Sequence, residues 1–121
     1  MIFNRPFIGA FAFTSLVTAK RIDVNVGKDG LKFTPDEINA NVGDEVAFHF
    51  VSGRHDVSEG PFDKPCQPYR VAGLWSGIIN AEETGSDVTF TVPIQDTDAK
   101  WLYCSVGRHC QSGMTAVINP P

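Results

Sequence analysis

A cysteine, a histidine and a methionine stand at five-residue intervals near the end of the printed chain, as Cys104, His109 and Met114. Soft sulfur ligands together with an imidazole suit copper, which must be held as both Cu(I) and Cu(II) to carry one electron. Two histidines and a cysteine in a plane, with a weak axial methionine, form a recurring copper geometry. The second histidine must then be His49 or His55, because the chain has three histidines.

The elements that position these side chains are expected to be short β-strands. A strand-like run at residues 100–103 ends directly before Cys104, and another at 115–118 begins directly after Met114. From residue 20 onward, apolar and polar residues alternate in short runs that are separated by turn signals, which predicts an antiparallel all-β sandwich. Residues 52–86 are expected to be mostly loop, with Trp75 packed in the core or at its rim.

The two remaining histidines occupy different positions in this pattern. His49 alternates with Val46, Phe48 and Phe50, which take the core face, so we expect His49 to face solvent. His55 lies just beyond the same strand, and loops at one end of a sandwich converge in space. By itself His55 would more often be a surface residue. Beside the 104–114 cluster it is favoured as a metal ligand.

The three cysteines leave one unpaired, whichever two form a disulfide. Pairing Cys104 with Cys66 or with Cys110 would consume the thiol that His109 and Met114 flank. A Cys66–Cys110 disulfide leaves Cys104 free, and this is the pairing we predict.

Other interpretations of the cluster remain open. Cys104 can be a small buried apolar residue, and Met114 can simply fill the core. Zinc can compete through His55, Cys104, His109 and Cys110, although structural zinc sites usually contain closely paired cysteines. A cysteine nucleophile is disfavoured, because nothing around Cys104 resembles the local signature of a known cysteine protease.

The first 19 residues predict a secretory signal peptide. Arg5 precedes an apolar run that is too short to span a bilayer, and small residues close the segment. The mature domain is therefore expected at 20–121, with processing up to residue 21 at the dibasic Lys20-Arg21. A disulfide agrees with a secreted protein.

The mature domain is acidic. The printed chain has 10 Lys and Arg against 14 Asp and Glu, and loss of Arg5 with the signal peptide leaves 9 against 14, a net charge of −5. This balance argues against nucleic-acid binding, which requires a basic face. No second apolar run follows the first, and the C-terminal end has no apolar tail for a lipid anchor. We expect a secreted, soluble monomer without a membrane span.

These residues carry a family resemblance. The pattern of His55 upstream of Cys104-x₄-His109-x₄-Met114 resembles the signature of the blue-copper cupredoxins. A cysteine directly after the ligand histidine, with an upstream partner, is similar to the phytocyanin branch. The runs at 55–68 and 101–104 resemble small secreted fungal cupredoxin-like proteins more closely still. The resemblance covers about residues 22–119.

The resemblance implies a Greek-key β-sandwich with one metal site at one end, in which His55, Cys104, His109 and Met114 bind copper. It implies a mononuclear type 1 copper protein that carries single electrons outside the cell. The alternative is a module for extracellular copper buffering, delivery or sequestration. The partner is then a redox protein or a copper acceptor. An oxidase is disfavoured, because a multi-copper cluster needs more than three histidines.

Neighbours of the proposed ligands suggest two further features. Asp56 follows one ligand and Ser105 follows another, so a hydrogen bond between them would lock two loops together. An exposed, unpaired Asp56 is the alternative. Arg54 and Arg108 each precede a ligand, and they would form a positive spot on an acidic body that orients a negatively charged partner. Alternatively, each arginine pairs with a local carboxylate such as Asp56 or Glu59.

Overall fold

The computed structural model describes residues 18–121, so almost all of the signal segment predicted at 1–19 lies outside the described residues. The described residues form ten strands and a single helical turn. In chain order these elements are β1 (Arg21–Val26), β2 (Phe33–Thr34), β3 (Glu37–Ile38), β4 (Glu45–Phe50), β5 (Arg54–His55), β6 (Ser58–Gly60), β7 (Ile79–Asn80), α1 (Ala81–Thr84), β8 (Thr89–Pro93), β9 (Lys100–Tyr103) and β10 (Thr115–Ile118). Within residues 18–121, no helix is long and apolar enough to cross a membrane.

Two four-stranded sheets make the sandwich that the sequence predicts. Their strand orders are β2-β1-β4-β8 and β3-β10-β9-β6, while β5 and β7 form a separate small sheet. The prediction of a wholly antiparallel arrangement is wrong, because β1 pairs parallel with β4 and β3 pairs parallel with β10. After β2 the chain crosses to the second sheet as β3 and returns as β4. This crossing restores the direction of β1.

The core lies between the sheets, on the apolar side of each alternating strand. Val24 and Val26 of β1 and Val46 and Phe48 of β4 are completely buried, as their alternation predicts. Phe33 meets Phe48 edge to face with ring centroids 6.2 Å apart, a geometry that aromatic pairs prefer. Because these strands pack rigidly, the residues at their ends are held in fixed positions.

His49 lies on the outer face of its sheet, as predicted. Its Nε2 is 2.7 Å from Asp23 Oδ1, and its Nδ1 is 3.2 Å from the hydroxyl of Thr89. Hydrogen bonds from His49 and Arg21 lower the pKa of the Asp23 carboxyl. His49 is therefore part of a polar surface cluster on the sheet rather than of the 104–114 cluster.

The region 52–86 is more ordered than predicted, since β5, β6, β7 and α1 all form within it. Its long excursion at 61–78 returns to the edge of β6. There Glu59 N donates to Leu74 O at 2.9 Å, and Ser76 N donates to Val57 O at 3.0 Å. Ser58 and Trp75 form a β-bridge between these two bonds. The end of the excursion is therefore hydrogen-bonded beside the sheet whose strand β9 precedes Cys104.

Candidate metal centre

Three ligand atoms from three separate parts of the chain converge at one end of the sandwich. His55 ends β5, Cys104 directly follows β9, and His109 lies in the loop that follows Cys104. Cys104 Sγ is 3.8 Å from His55 Nδ1 and 3.4 Å from His109 Nδ1. The three atoms all lie within 4.8 Å of one another, which is close enough to share one metal ion.

Burial differs among these three residues. Cys104 is 0% exposed and His55 is 4% exposed, whereas His109 is half-buried. The thiol is therefore shielded from water, and the His109 ring forms the accessible edge of the cluster.

Met114 closes the loop that starts at Cys104. Cys104 N donates to Met114 O at 3.1 Å, and Met114 N donates to His109 O at 3.0 Å. The Met114 side chain is completely buried and belongs to the core cluster. The expected core contact is therefore present, and the role of Met114 as an axial ligand stays a prediction.

Comparisons with known proteins point to one fold. No family model matches the chain. A solved auracyanin from Roseiflexus castenholzii is 16% identical with a TM-score of 0.59, and the match covers 81% of this chain and 94% of that one. A pseudoazurin from Sinorhizobium meliltoi is 21% identical with a TM-score of 0.57, and the match covers 82% of this chain and 72% of that one. The chain has the cupredoxin fold.

Two curated relatives from Arthroderma benhamiae are more similar to this chain in sequence than these solved structures are. One, named "Extracellular serine-rich protein", is 51% identical over 121 residues, which is 100% of this chain and 47% of the relative. The other, named "Probable GPI-anchored cupredoxin-1", is 44% identical over 119 residues, which is 98% of this chain and 61% of the relative. The chain thus spans about half the length of these relatives.

Two glycines form the wall behind the His55 imidazole. Gly27 and Gly53 have φ values of +83° and +81°, which side chains rarely adopt. A Cβ at Gly27 would lie 2.0 Å from Ser52 O, and one at Gly53 would lie 2.6 Å from His55 Nε2. Both positions therefore require glycine for the ring to occupy its place. The sequence analysis missed them, because their contact with His55 depends on how two loops meet.

The ionisation of the cluster follows from its burial. Burial, and next the neighbouring His109, lower the pKa of His55, although its hydrogen bond with Ser52 acts in the opposite direction. Burial likewise raises the pKa of the Cys104 thiol, although the backbone N–H groups of Asp56 and Val106 oppose this effect. The lowered pKa of His55 favours its neutral imidazole, and the raised pKa of Cys104 favours its protonated thiol, so binding of a metal cation would release the thiol proton.

Asp56 joins the loop of His55 to the loop of Cys104. The residue is completely buried, and its Oδ1 accepts a hydrogen bond from Ser105 N at 2.6 Å. Its Oδ2 accepts from the Ser105 hydroxyl, from Ser58 Oγ at 3.1 Å and from Trp75 Nε1 at 2.9 Å. The hydrogen bond expected between Asp56 and Ser105 is formed, and the exposed, unpaired alternative is wrong.

Two of these donors were missed by the sequence analysis. Ser58 lies only two residues after Asp56, so a hydrogen bond between their side chains could have been predicted. Trp75 was expected to pack in the core or at its rim, yet it is 61% exposed and contacts Asp56 through its N–H. Nothing in the spacing reveals this contact, since it requires the 61–78 excursion to fold back onto β6.

The predicted disulfide is confirmed. Cys66 and Cys110 are bridged, with Cα atoms 5.7 Å apart and a sequence separation of 44. Cys104 is the free cysteine of the described residues. The four-ligand zinc set that includes Cys110 is therefore wrong, because a bridged sulfur is not a thiolate ligand.

Removal of this disulfide should lower stability substantially. We expect Cys66→Ala with Cys110→Ala to lower the free energy of unfolding by about 2–4 kcal/mol, because the bridge restricts a long loop in the unfolded chain. Urea denaturation of the metal-free protein measures the change, with the exposed neighbour Ser112→Ala as control. A stability equal to that of the control, or a peptide map linking Cys104, would contradict the assignment.

Arg54 and Arg108 are both exposed near the cluster. Among residues 18–121, no ion pair involves either of them. The carboxylate of Asp56 faces Ser105, Ser58 and Trp75 instead. The alternative in which each arginine is neutralised by a local carboxylate is therefore not formed, and both guanidinium groups are available to solvent.

Proposed function

We propose that this chain is a mononuclear type 1 copper protein that carries single electrons outside the cell. The observation that carries the proposal is the convergence of one buried thiol and one ring nitrogen from each of two imidazoles within 4.8 Å. This donor set fits copper, because a thiolate and imidazoles bind both of its redox states. Bound copper would supply one-electron redox chemistry.

The residues of the chain would hold the copper ion, fix the positions of its ligands and exclude water from the sulfur. His55, Cys104, His109 and Met114 would hold the copper ion. The strand ends and the Asp56 hydrogen bonds hold the ligand positions, so little needs to move when an electron arrives. Burial of Cys104 excludes water from the sulfur. A site of this kind transfers electrons without activating a substrate, and we propose no enzymatic activity.

The extracellular location rests on three supports. The sequence predicts a signal peptide, and the disulfide is typical of oxidising compartments. The printed names of the two curated relatives describe an extracellular and a probable GPI-anchored protein. Neither name states an enzymatic activity.

The spectrum and exchange behaviour of the copper-loaded protein test the proposal. We expect an intense visible thiolate-to-copper band, retention of copper against a chelator and rapid electron self-exchange. Zinc-loaded protein is the control for absorption that does not involve copper. Slow self-exchange with ready copper loss to an acceptor would instead support copper buffering or delivery. Absence of the visible band from the Cu(II) protein would refute the type 1 assignment.

We further propose that Arg54 and Arg108 orient a negatively charged redox partner toward the His109 edge. Both groups are exposed and free of ion pairs within the described residues, while the mature domain is acidic. A positive spot on a negative body chiefly raises the association rate. We expect this protein to be a monomer when it meets the partner. We expect it neither to bind nucleic acid nor to insert into a membrane.

Charge reversal should change reaction rates in opposite directions for reagents of opposite charge. We expect Arg54→Glu with Arg108→Glu to slow reduction by hexacyanoferrate(II) and to speed reduction by hexaammineruthenium(II). Stopped-flow rates should converge as salt rises, since ions screen the interaction.

The control carries the same charge change at the opposite end of the sandwich. Lys20 precedes β1 and Lys100 begins β9, and the far ends of these strands reach the metal cluster. Lys20→Glu with Lys100→Glu should have a much smaller effect on both rates. If the two double variants change the rates equally, the net charge of the protein explains the result and the steering proposal is wrong.

A further inference from the structure

Trp75 combines an exposed ring with a buried hydrogen bond. The residue is 61% exposed, yet its Nε1 donates to Oδ2 of the completely buried Asp56 at 2.9 Å. Its backbone is held by the β-bridge to Ser58 and by the flanking bonds of Leu74 and Ser76 to β6. The indole N–H is therefore held against Asp56 by the backbone on which it sits.

Apolar packing does not explain the position of the Trp75 ring. Trp101 is half-buried and stacks on Phe62 with ring centroids 4.6 Å apart, so its aromatic contact is evident. Trp75 leaves most of its ring in water and gains little from apolar burial. Its distinctive contact is the charge-assisted hydrogen bond to Asp56, a class of bond that is stronger than a neutral one.

Asp56 transmits this contact to the loop that carries the proposed copper ligand. Its carboxylate accepts from Ser105 N, the amide next to Cys104, and from the Ser105 hydroxyl. The orientation of Asp56 therefore affects the position of the residue that directly follows the cysteine.

We propose that Trp75 is a positioning residue that fixes the Asp56 carboxylate and thereby raises the redox potential of copper bound at Cys104. This inference rests on the proposed function. Hydrogen bonds around the cysteine sulfur tune the potential of such sites. Trp75 would act from the protein surface without contacting the metal.

The sign of the effect follows from charge. Loss of the indole donor leaves more negative charge on the nearby carboxylate, which favours Cu(II) over Cu(I). The change therefore lowers the potential.

Matched tryptophan variants test this inference. Trp75→Phe keeps an aromatic ring and removes the donor, while Trp101→Phe makes the same change at a residue that stacks on Phe62. We expect a lower potential for Trp75→Phe and an unchanged potential for Trp101→Phe in redox titrations of the copper-loaded proteins. Ser58→Ala removes another donor to the same oxygen and should shift the potential in the same direction. Equal potentials in wild type and Trp75→Phe would overturn the proposal.

A second measurement needs no copper. Amide hydrogen exchange of Ser105 in the metal-free protein should be several-fold faster in Trp75→Phe than in Trp101→Phe, because Asp56 is then held by fewer donors. Unchanged exchange at Ser105 would refute the positioning role, even if the protein proved not to bind copper. Conversely, failure of the copper assignment with faster exchange would leave the positioning of Asp56 by Trp75 intact.

Discussion

Cys104→Ser should abolish the intense visible band of the copper-loaded protein. Serine has a similar size but replaces the soft anionic sulfur by a hydroxyl, so the thiolate-to-copper transition has no donor. Copper affinity should also fall, because the remaining imidazoles lack an anionic partner. Absorption spectra and copper titrations of the variant and wild type provide the measurement.

Two histidine variants make this result specific. His55→Gln should lose the band because it removes an imidazole 3.8 Å from the Cys104 sulfur. His49→Gln should keep it, because His49 lies on the outer sheet face beside Asp23. A band that survives Cys104→Ser, or that depends on His49, would place the metal elsewhere.

Asp56→Ala should be among the most destabilising single substitutions in the described part of the chain. It removes the acceptor of hydrogen bonds from Ser105, Ser58 and Trp75. Hydrogen bonds to a charged group stabilise more than neutral ones, and unsatisfied buried donors are costly. The expected loss in the free energy of unfolding is about 2–4 kcal/mol.

Urea denaturation of the metal-free protein measures this loss, and Asp23→Ala is a suitable control. Asp23 also accepts hydrogen bonds, from Arg21 and His49, but it lies exposed on the sheet face. An exposed carboxylate of this kind should contribute far less to stability, because solvent screens its interactions. If both variants lose the same stability, Asp56 is not a special connection between the ligand loops.

Local patterns were sufficient to predict much of the candidate site. Residue alternation placed His49 outside the core, because side chains in a strand alternate faces, and the end of that pattern placed His55 just beyond the same strand. The odd number of cysteines, together with the flanking His109 and Met114, indicated which thiol stays free. These inferences depend on residues that are close in sequence or on a simple count.

The features that were missed depend on how distant segments meet. The parallel pairing of β1 with β4 follows from a crossing between sheets, which alternation does not encode. The contact of Trp75 with Asp56 requires the 61–78 excursion to return to β6. The glycine wall behind His55 arises where two loops approach each other, so no local signal separated Gly27 and Gly53 from ordinary turn glycines.

The excursion at 61–78 is attached to the rest of the domain at two points, and these points determine where it can tolerate substitutions and insertions. The Cys66–Cys110 bridge secures its beginning, and the pairing of Leu74 and Trp75 with β6 secures its end. Residues 67–73, which lie between these two attachments, are exposed. Their length and composition can therefore diverge, or accept an inserted peptide, while the ligands keep their places. In this respect the segment is a ready position for grafting a new recognition loop beside a redox site.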